Sequence, residues 1–293
     1  MSEDILYAAQ QQCPSAELGY TDFIYNRTLI QVEDIEMGGA ALTTYGLPPP
    51  VRDGTADLSR ETSYCTADLD RYVRENELRL LPEQRTAYTT VIDAVRQQRG
   101  GIFFLDAPGG TGKMFITKLI LAEIRRHGNI TLAVASSRIA AILLSGGQTA
   151  HSMFRLPLDL AKAEIPTCSI SKDSGQADVF RRCKLLVWGE CTMTHRQALE
   201  VLNRSLQDST ALMGGLTLLL SDDFRQTLPV ILKGTRADAV RPCLKSSNLW
   251  VHVQSLHLTI NMRAHTTGDN RSADFSRDHL ALGKGRTPSD AEG

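Results

Sequence analysis

Three glycines and a lysine crowd into one short stretch, Ala107-Pro108-Gly109-Gly110-Thr111-Gly112-Lys113. The residues before it, Ile102-Phe103-Phe104-Leu105, form an unbroken apolar run. Those after it carry Ile116, Leu119, Ile120 and Ile124 at helical spacing. A glycine-rich turn between a buried strand and a helix lets consecutive backbone N–H groups converge on phosphate oxygens. The helix N-terminus adds partial positive charge, and a lysine at this place reaches the β- and γ-phosphates. The chemistry is that of binding a nucleoside triphosphate; the plainer alternative is a tight turn with an unrelated lysine. The pattern G-x-x-x-x-G-K-[ST] would put glycine at Ala107 and a hydroxyl at Met114. That hydroxyl is normally a Mg²⁺ ligand, and a thioether is a poor donor to so hard a cation.

A second candidate follows Leu185-Leu186-Val187-Trp188, another apolar run that hands over to Gly189-Glu190. Phosphoryl-transfer sites use an acid at such a strand end to hold the metal, and a second to polarise the attacking water. Here Gly189 stands at the first position and Glu190 at the second. Alone, Glu190 reads more readily as an ordinary strand-end carboxylate, and its place after the glycine-rich loop and helix is what favours the catalytic reading.

These residues need a scaffold. Pro82 opens a helix in which Val91, Ile92 and Val95 recur at helical spacing, and Gly100-Gly101 ends it. Strands are read at residues 102–105, 132–135, 185–188 and 216–220. A helix with Ala198, Val201, Leu202 and Leu206 inward precedes the last, and Gly128 ends the helix after the glycine-rich loop. Alternating strands and helices predict an α/β fold, a parallel sheet covered by helices on both faces. Residues 1–79 read as an irregular, partly helical lead-in, with weak alternation at 28–34 and a helix at 68–76. Residues 80–255 are read as the nucleotide-binding lobe, and residues 256–293 follow it and end in a polar tail.

The 293 residues are 42% hydrophobic and 22% charged, with a net charge of −1. Whole-chain electrostatics therefore give no sign of a nucleic-acid partner, and any such role rests on local sites. Six cysteines without a C-x-x-C pair argue against a zinc site or a disulfide framework. Glu3 and Asp4 stand where a signal peptide would be basic, and no apolar run is long enough to span a bilayer. The expectation is a soluble intracellular protein with no membrane partner.

After the fourth strand comes Ser221-Asp222-Asp223-Phe224-Arg225-Gln226-Thr227-Leu228-Pro229-Val230. With the loop and the Glu190 strand, this stretch resembles the petite-integration-frequency (PIF) family of superfamily-one DNA helicases, in particular the copies carried by Helitron transposons. Nearly the whole chain takes part. Residues 21–34 and 38–47 look like the segment preceding the motor, and residues 80–84 like the adenine-recognition motif. The stretch from Ser136 to Ser152, ending Thr149-Ala150-His151-Ser152, resembles the region touching the single strand. Leu258-Thr259-Ile260-Asn261-Met262-Arg263 matches the stretch of the second lobe that carries a transition-state arginine, so the resemblance implies that residues 256–293 are the truncated start of that lobe.

The resemblance implies a RecA-like lobe that uses ATP and Mg²⁺ to unwind DNA with 5′-to-3′ polarity. The setting implied is nuclear replication, repair, recombination or telomere maintenance, with single-stranded DNA or DNA forks as partners. It implies that Gln84 bonds adenine, that Gly109, Gly110, Thr111, Gly112, Lys113 and Met114 cradle the nucleotide, and that Glu190 activates water. Gln226 then senses the γ-phosphate and Arg263 stabilises transferred charge. Ser136, Ser137, Thr149, His151 and Ser152 are the strand contacts the resemblance implies, although spacing alone favours Thr149, His151 and Ser152 as caps of a turn or partners of buried backbone groups. Besides the mild change at Ala107, four positions depart from the family: Met114, Gly189, and Arg138 and Asp222 where glycine is usual. Both protein ligands for Mg²⁺ are thus replaced, and Asp222 is expected to repel the γ-phosphate. The sequence also ends about thirty residues after Arg263. A catalytically inactive nucleotide- or DNA-binding remnant is therefore the alternative to a working helicase.

Overall fold

The computed structural model describes residues 42–49, 54–156, 167–207, 211–226 and 242–262, together with Tyr25, Asn26, Thr28, Leu29 and Val32. Six strands form one parallel sheet: β1 (Gly101–Asp106), β2 (Ile130–Ala135), β3 (Gln148–Thr149), β4 (Cys183–Gly189), β5 (Thr217–Asp222) and β6 (Val253–His257). Their spatial order is β3-β2-β4-β5-β1-β6, and every neighbouring pair is parallel.

The apolar runs explain why the interior strands lie in the middle. Successive side chains point to opposite faces, so each run feeds two cores. Ile102, Phe104, Leu186, Trp188, Leu218 and Leu220 enter one core. Phe103, Leu105, Leu185, Val187 and Leu219 enter the other. The second core is closed by Val73 of α2 (Thr66–Glu77), Val91 and Ile92 of α3 (Pro82–Arg96), and Ile116, Leu119 and Ile120 of α4 (Lys113–Arg125). The first core is closed by Met153 and Phe154 of α6 (Ala150–Phe154), Phe180 of α7 (Gly175–Arg182) and Leu202 of α8 (Arg196–Leu206). A fully buried side chain such as Leu186 carries about 2–5 kcal/mol against truncation to alanine.

The four interior strands and the helix after the loop stand where the sequence puts them. Two edge strands were not anticipated. β3 has two polar residues and β6 buries only Leu256, so neither shows the apolar run of a strand covered on both faces. β6 pairs with β1 and runs across the boundary read at residue 255, so residues 256–257 belong to the first lobe's sheet. Helix α1 (Gly54–Thr62) packs on α7 and β2, and α2 packs on α4, so residues 54–77 also lie against the lobe. Thr28, Leu29 and Val32 are helical where the sequence shows weak alternation; apart from these and the helical Tyr25 and Asn26, residues 1–41 lie outside the described residues.

Candidate nucleotide and nucleic-acid site

The carboxyl ends of β1, β4 and β5 lie side by side and carry the glycine-rich loop, Glu190 and Asp222–Gln226 along one edge. Open parallel sheets bind their ligands along this edge. Asp106 of β1 aligns with Asp222 of β5, and Ala107 N–H continues the ladder by donating to Asp222 O at 3.2 Å. The chain then turns on Thr111, whose hydroxyl donates to Pro108 O at 2.8 Å. Gly110 and Gly112 take left-handed φ values of 88° and 85°. A Cβ on Gly110 would meet Asn261 Oδ1 at 2.7 Å, and one on Gly112 would meet Gln84 Nε2 at 2.5 Å. α4 starts at once, with Lys113 in its first turn. Left-handed glycines, a helix start and a lysine fit a polyphosphate.

Lys113 Nζ lies 3.5 Å from Asp222 Oδ1. Asp222 is buried, and its carboxylate also accepts Thr192 N–H at 2.8 Å, Thr192 Oγ1–H at 2.6 Å and Asp223 N–H at 2.8 Å. The carboxylate expected only to repel phosphate is thus the partner of the phosphate-loop lysine. Thr192, three residues beyond Gly189, was not foreseen in this role; its hydroxyl beside an acidic strand end was the available signal.

Gln226 reaches the loop: a Cβ on Gly109 would stand 3.4 Å from its Nε2, which donates to Asp223 Oδ2 at 3.2 Å. Arg225 joins Asp223 at 2.5 Å to Asp106 at 3.1 Å, tying β5 to β1. Gln84 has both ends of its amide occupied. Its Oε1 accepts Leu81 N–H at 3.1 Å and its Nε2 donates to Thr111 O at 2.9 Å. It therefore caps α3 and braces the loop, in a buried position.

The segment after β6 crosses the same ground. Leu258 N–H donates to Asp106 O at 3.0 Å, and Met262 N–H to Gly110 O at 2.8 Å. Thr259 donates to Glu83 from its amide at 2.7 Å and its hydroxyl at 2.6 Å. Burial alone would raise the Glu83 carboxyl, but the bonds from Thr259 and Ile260 outweigh it and hold the group below its usual range. Arg263 lies outside the described residues, as do residues 227–241.

The candidate strand contacts lie around the ends of β2 and β3. Ser136 and Ser137 are half-buried, while His151 and Ser152 are exposed. Thr149 Oγ1 accepts Ser152 N–H at 3.3 Å, the capping role open to it from sequence. Ser137 Oγ accepts Ala140 N–H at 3.2 Å, capping α5 (Arg138–Ile142), and donates to Glu190 Oε2 at 2.6 Å. Glu190 follows β4 with a left-handed φ of 50°, rare for a residue with a Cβ. Residue 189 has room for a side chain: a Cβ would meet Ala135 Cβ and Val134 O at 3.8 Å. Met114 packs against the apolar core around α4. Among the described residues no three His, Cys, Asp or Glu side chains gather as a metal cage.

The parallel sheet with a glycine-lysine loop at its carboxyl edge is a RecA-like α/β lobe, and solved structures share the fold. The Pif1 helicase from Bacteroides, in complex with ADP-AlF3 and ssDNA, superposes with a TM-score of 0.56 at 19% identity, over 70% of this chain and 47% of that one. The Pif1 helicase from Candida albicans gives 0.55 at 22% identity, over 72% and 45%. The PIF1-like helicase profile matches residues 79–293, and the chain belongs to that family. Among curated relatives, the ATP-dependent DNA helicase Pif1 of Bdellovibrio bacteriovorus is 30% identical over 164 residues, 55% of this chain and 35% of the relative. The chain thus spans about a third of that relative's length. Among the described residues no helix is long and apolar enough to cross a membrane.

Proposed function

We propose that this chain carries the first motor lobe of an ATP-dependent DNA helicase of the Helitron type, acting on single-stranded DNA or forks with 5′-to-3′ polarity in the nucleus. The observation that supports it best is the loop with left-handed Gly110 and Gly112 and Lys113, on the sheet edge shared with Glu190 and Gln226. In this reading the backbone N–H groups of 109–113 and the Lys113 ammonium bind the β- and γ-phosphates. Glu190 accepts the proton of the attacking water, and Gln226, next to Gly109, reports the γ-phosphate to β5. Arg263 contributes positive charge from the second lobe, and Gln84 shapes the adenine end by bracing the loop at Thr111. Mg²⁺, when bound with the nucleotide, supplies positive charge at the transferring phosphate. Ser136, Ser137, Thr149, His151 and Ser152 hold the strand through its sugar-phosphate backbone.

The second reading, a nucleotide- or DNA-binding remnant that no longer hydrolyses ATP, draws on Met114 and Gly189, which leave both usual Mg²⁺ positions without an oxygen. A DNA-stimulated ATPase assay on the purified chain decides between them. Turnover that rises with single-stranded DNA and vanishes in Lys113→Ala supports the motor. ATP binding without turnover supports the remnant.

A further inference from the structure

β2 and β4 are neighbours, with Ala135 aligned to Gly189, so the residues that leave the two strands emerge together. Ser136 N–H donates to Gly189 O at 3.1 Å, carrying the ladder one step past the strands. The next residue on each side meets its counterpart through the 2.6 Å bond from Ser137 Oγ to Glu190 Oε2. One partner is a candidate DNA contact and the other the candidate water-activating acid. β2 lies on the far side of β4 from β5 and β1, so this bond draws the carboxylate away from the phosphate loop. The left-handed backbone at Glu190 is an uncommon conformation for a residue with a Cβ, and it belongs to this same turn.

A serine hydroxyl has a single proton to donate. While Ser137 gives it to Glu190, it cannot give it to a DNA phosphate. We propose that single-stranded DNA and Glu190 compete for the Ser137 hydroxyl proton, so that strand binding releases the carboxylate to face the nucleotide. Ser137 is then a positioning residue that makes hydrolysis respond to DNA. This rests on the reading of the β2 end as a strand contact. The coupling must run both ways: removing the carboxylate frees the hydroxyl and strengthens DNA binding.

That reciprocity allows a test without turnover. Affinity for a labelled oligothymidylate is measured, in the absence of nucleotide, for the native chain, Ser137→Gly, Glu190→Ala and the double variant. Glycine is tolerated at a helix N-cap almost as well as serine, so α5 keeps its start. In the native background Glu190→Ala should tighten binding about three- to tenfold, the net worth of one ordinary hydrogen bond set free at a half-exposed site. In the Ser137→Gly background that gain should shrink to whatever removal of a negative charge alone provides. Should Glu190→Ala fail to fold, Glu190→Gln, which keeps an acceptor but loses the charge, should give a smaller gain with the same dependence on Ser137. An equal gain in both backgrounds would mean plain charge repulsion and would overturn the competition, as would no gain at all. Either result would leave DNA binding itself standing. If the native chain and every variant ignore the strand, the strand-contact reading fails and the competition fails with it.

Discussion

The phosphate loop and the strand ends that face it are built from different materials. In the proposed reading the loop works mainly through its backbone, with N–H groups, two left-handed glycines and a helix start, and asks for side chains only from Lys113 and at position 114. The ends of β4 and β5 work through side chains, and here the departures matter: Gly189 has no carboxylate and Asp222 has an additional one. Ala107 replaces a glycine in the loop at no visible cost to its turn, since its amide still joins the ladder to Asp222. Function delivered by backbone persists as long as the fold persists. Function delivered by a side-chain oxygen ends with a single substitution.

The largest expected effect restores the side-chain half. Met114→Thr with Gly189→Asp returns a hydroxyl and a carboxylate to the usual Mg²⁺ positions, and residue 189 has room for the new side chain. Metal stabilisation of the transition state is worth several kcal/mol, and each ~1.4 kcal/mol is tenfold in rate. ATP turnover with single-stranded DNA should therefore rise roughly a hundred- to ten-thousandfold. Equal turnover in the native chain and the double variant, both active, would erase the contrast between the two halves.

Gly112→Ala attacks the backbone half instead. It forces a side chain into a φ of 85° and drives its Cβ to 2.5 Å from Gln84 Nε2, breaking the brace to Thr111 O. Strain of ~1–2 kcal/mol and a lost hydrogen bond of ~1 kcal/mol should lower stability by about 2–3 kcal/mol. Chemical denaturation would measure this, and nucleotide binding should fall with it. An unchanged midpoint would mean that the loop bends freely.

Asp222→Asn tests the contact between the halves. The substitution removes the charge opposite Lys113 while leaving an acceptor for Thr192. ATP should bind about two- to fivefold more tightly without added Mg²⁺, the size of one weakened ion pair. Weaker binding would mean that Asp222 assists the nucleotide rather than competing for the lysine.

The smallest effect concerns the core beneath both halves. Burial pushes the Cys183 thiol up to about 12, and burial together with Asp222 pushes Cys191 well above its ordinary range. An unfolded thiol ionises near pH 8.5, so the folded state holds the extra protons above that pH. The stability due to the Cys183 thiol is thus complete below about 8.5 and lost as pH rises towards about 12, and that of Cys191 falls in the same direction. The thermal midpoint should decline across this window, and the decline should lessen in Cys183→Ala. A midpoint indifferent to alkali would contradict the burial.

The interior of the fold was legible because a strand covered on both faces must be apolar throughout, as residues 102–105 and 185–188 are. β3 and β6 were not legible, because an edge strand pairs on one side and needs no such run: Gln148-Thr149 is polar and only Leu256 of β6 is buried. At the site, the loop could be read because its residues are contiguous. The Ser137–Glu190 bond spans 53 positions and the Lys113–Asp222 pair 109, so both exist only through strand order. Asp222 shows the difference: its position was foreseen, but its bonds to Thr192 and Lys113 were not.

The claim on which the rest depends is that the loop binds nucleotide through Lys113. Equilibrium titration of ATP, with Mg²⁺ present, into the native chain and Lys113→Ala tests it directly. The native chain should bind saturably and the variant about tenfold more weakly or worse, since a charge-assisted contact of ~1.5–3 kcal/mol is lost. Equal affinity in the two proteins, or no binding by the native chain, would contradict it.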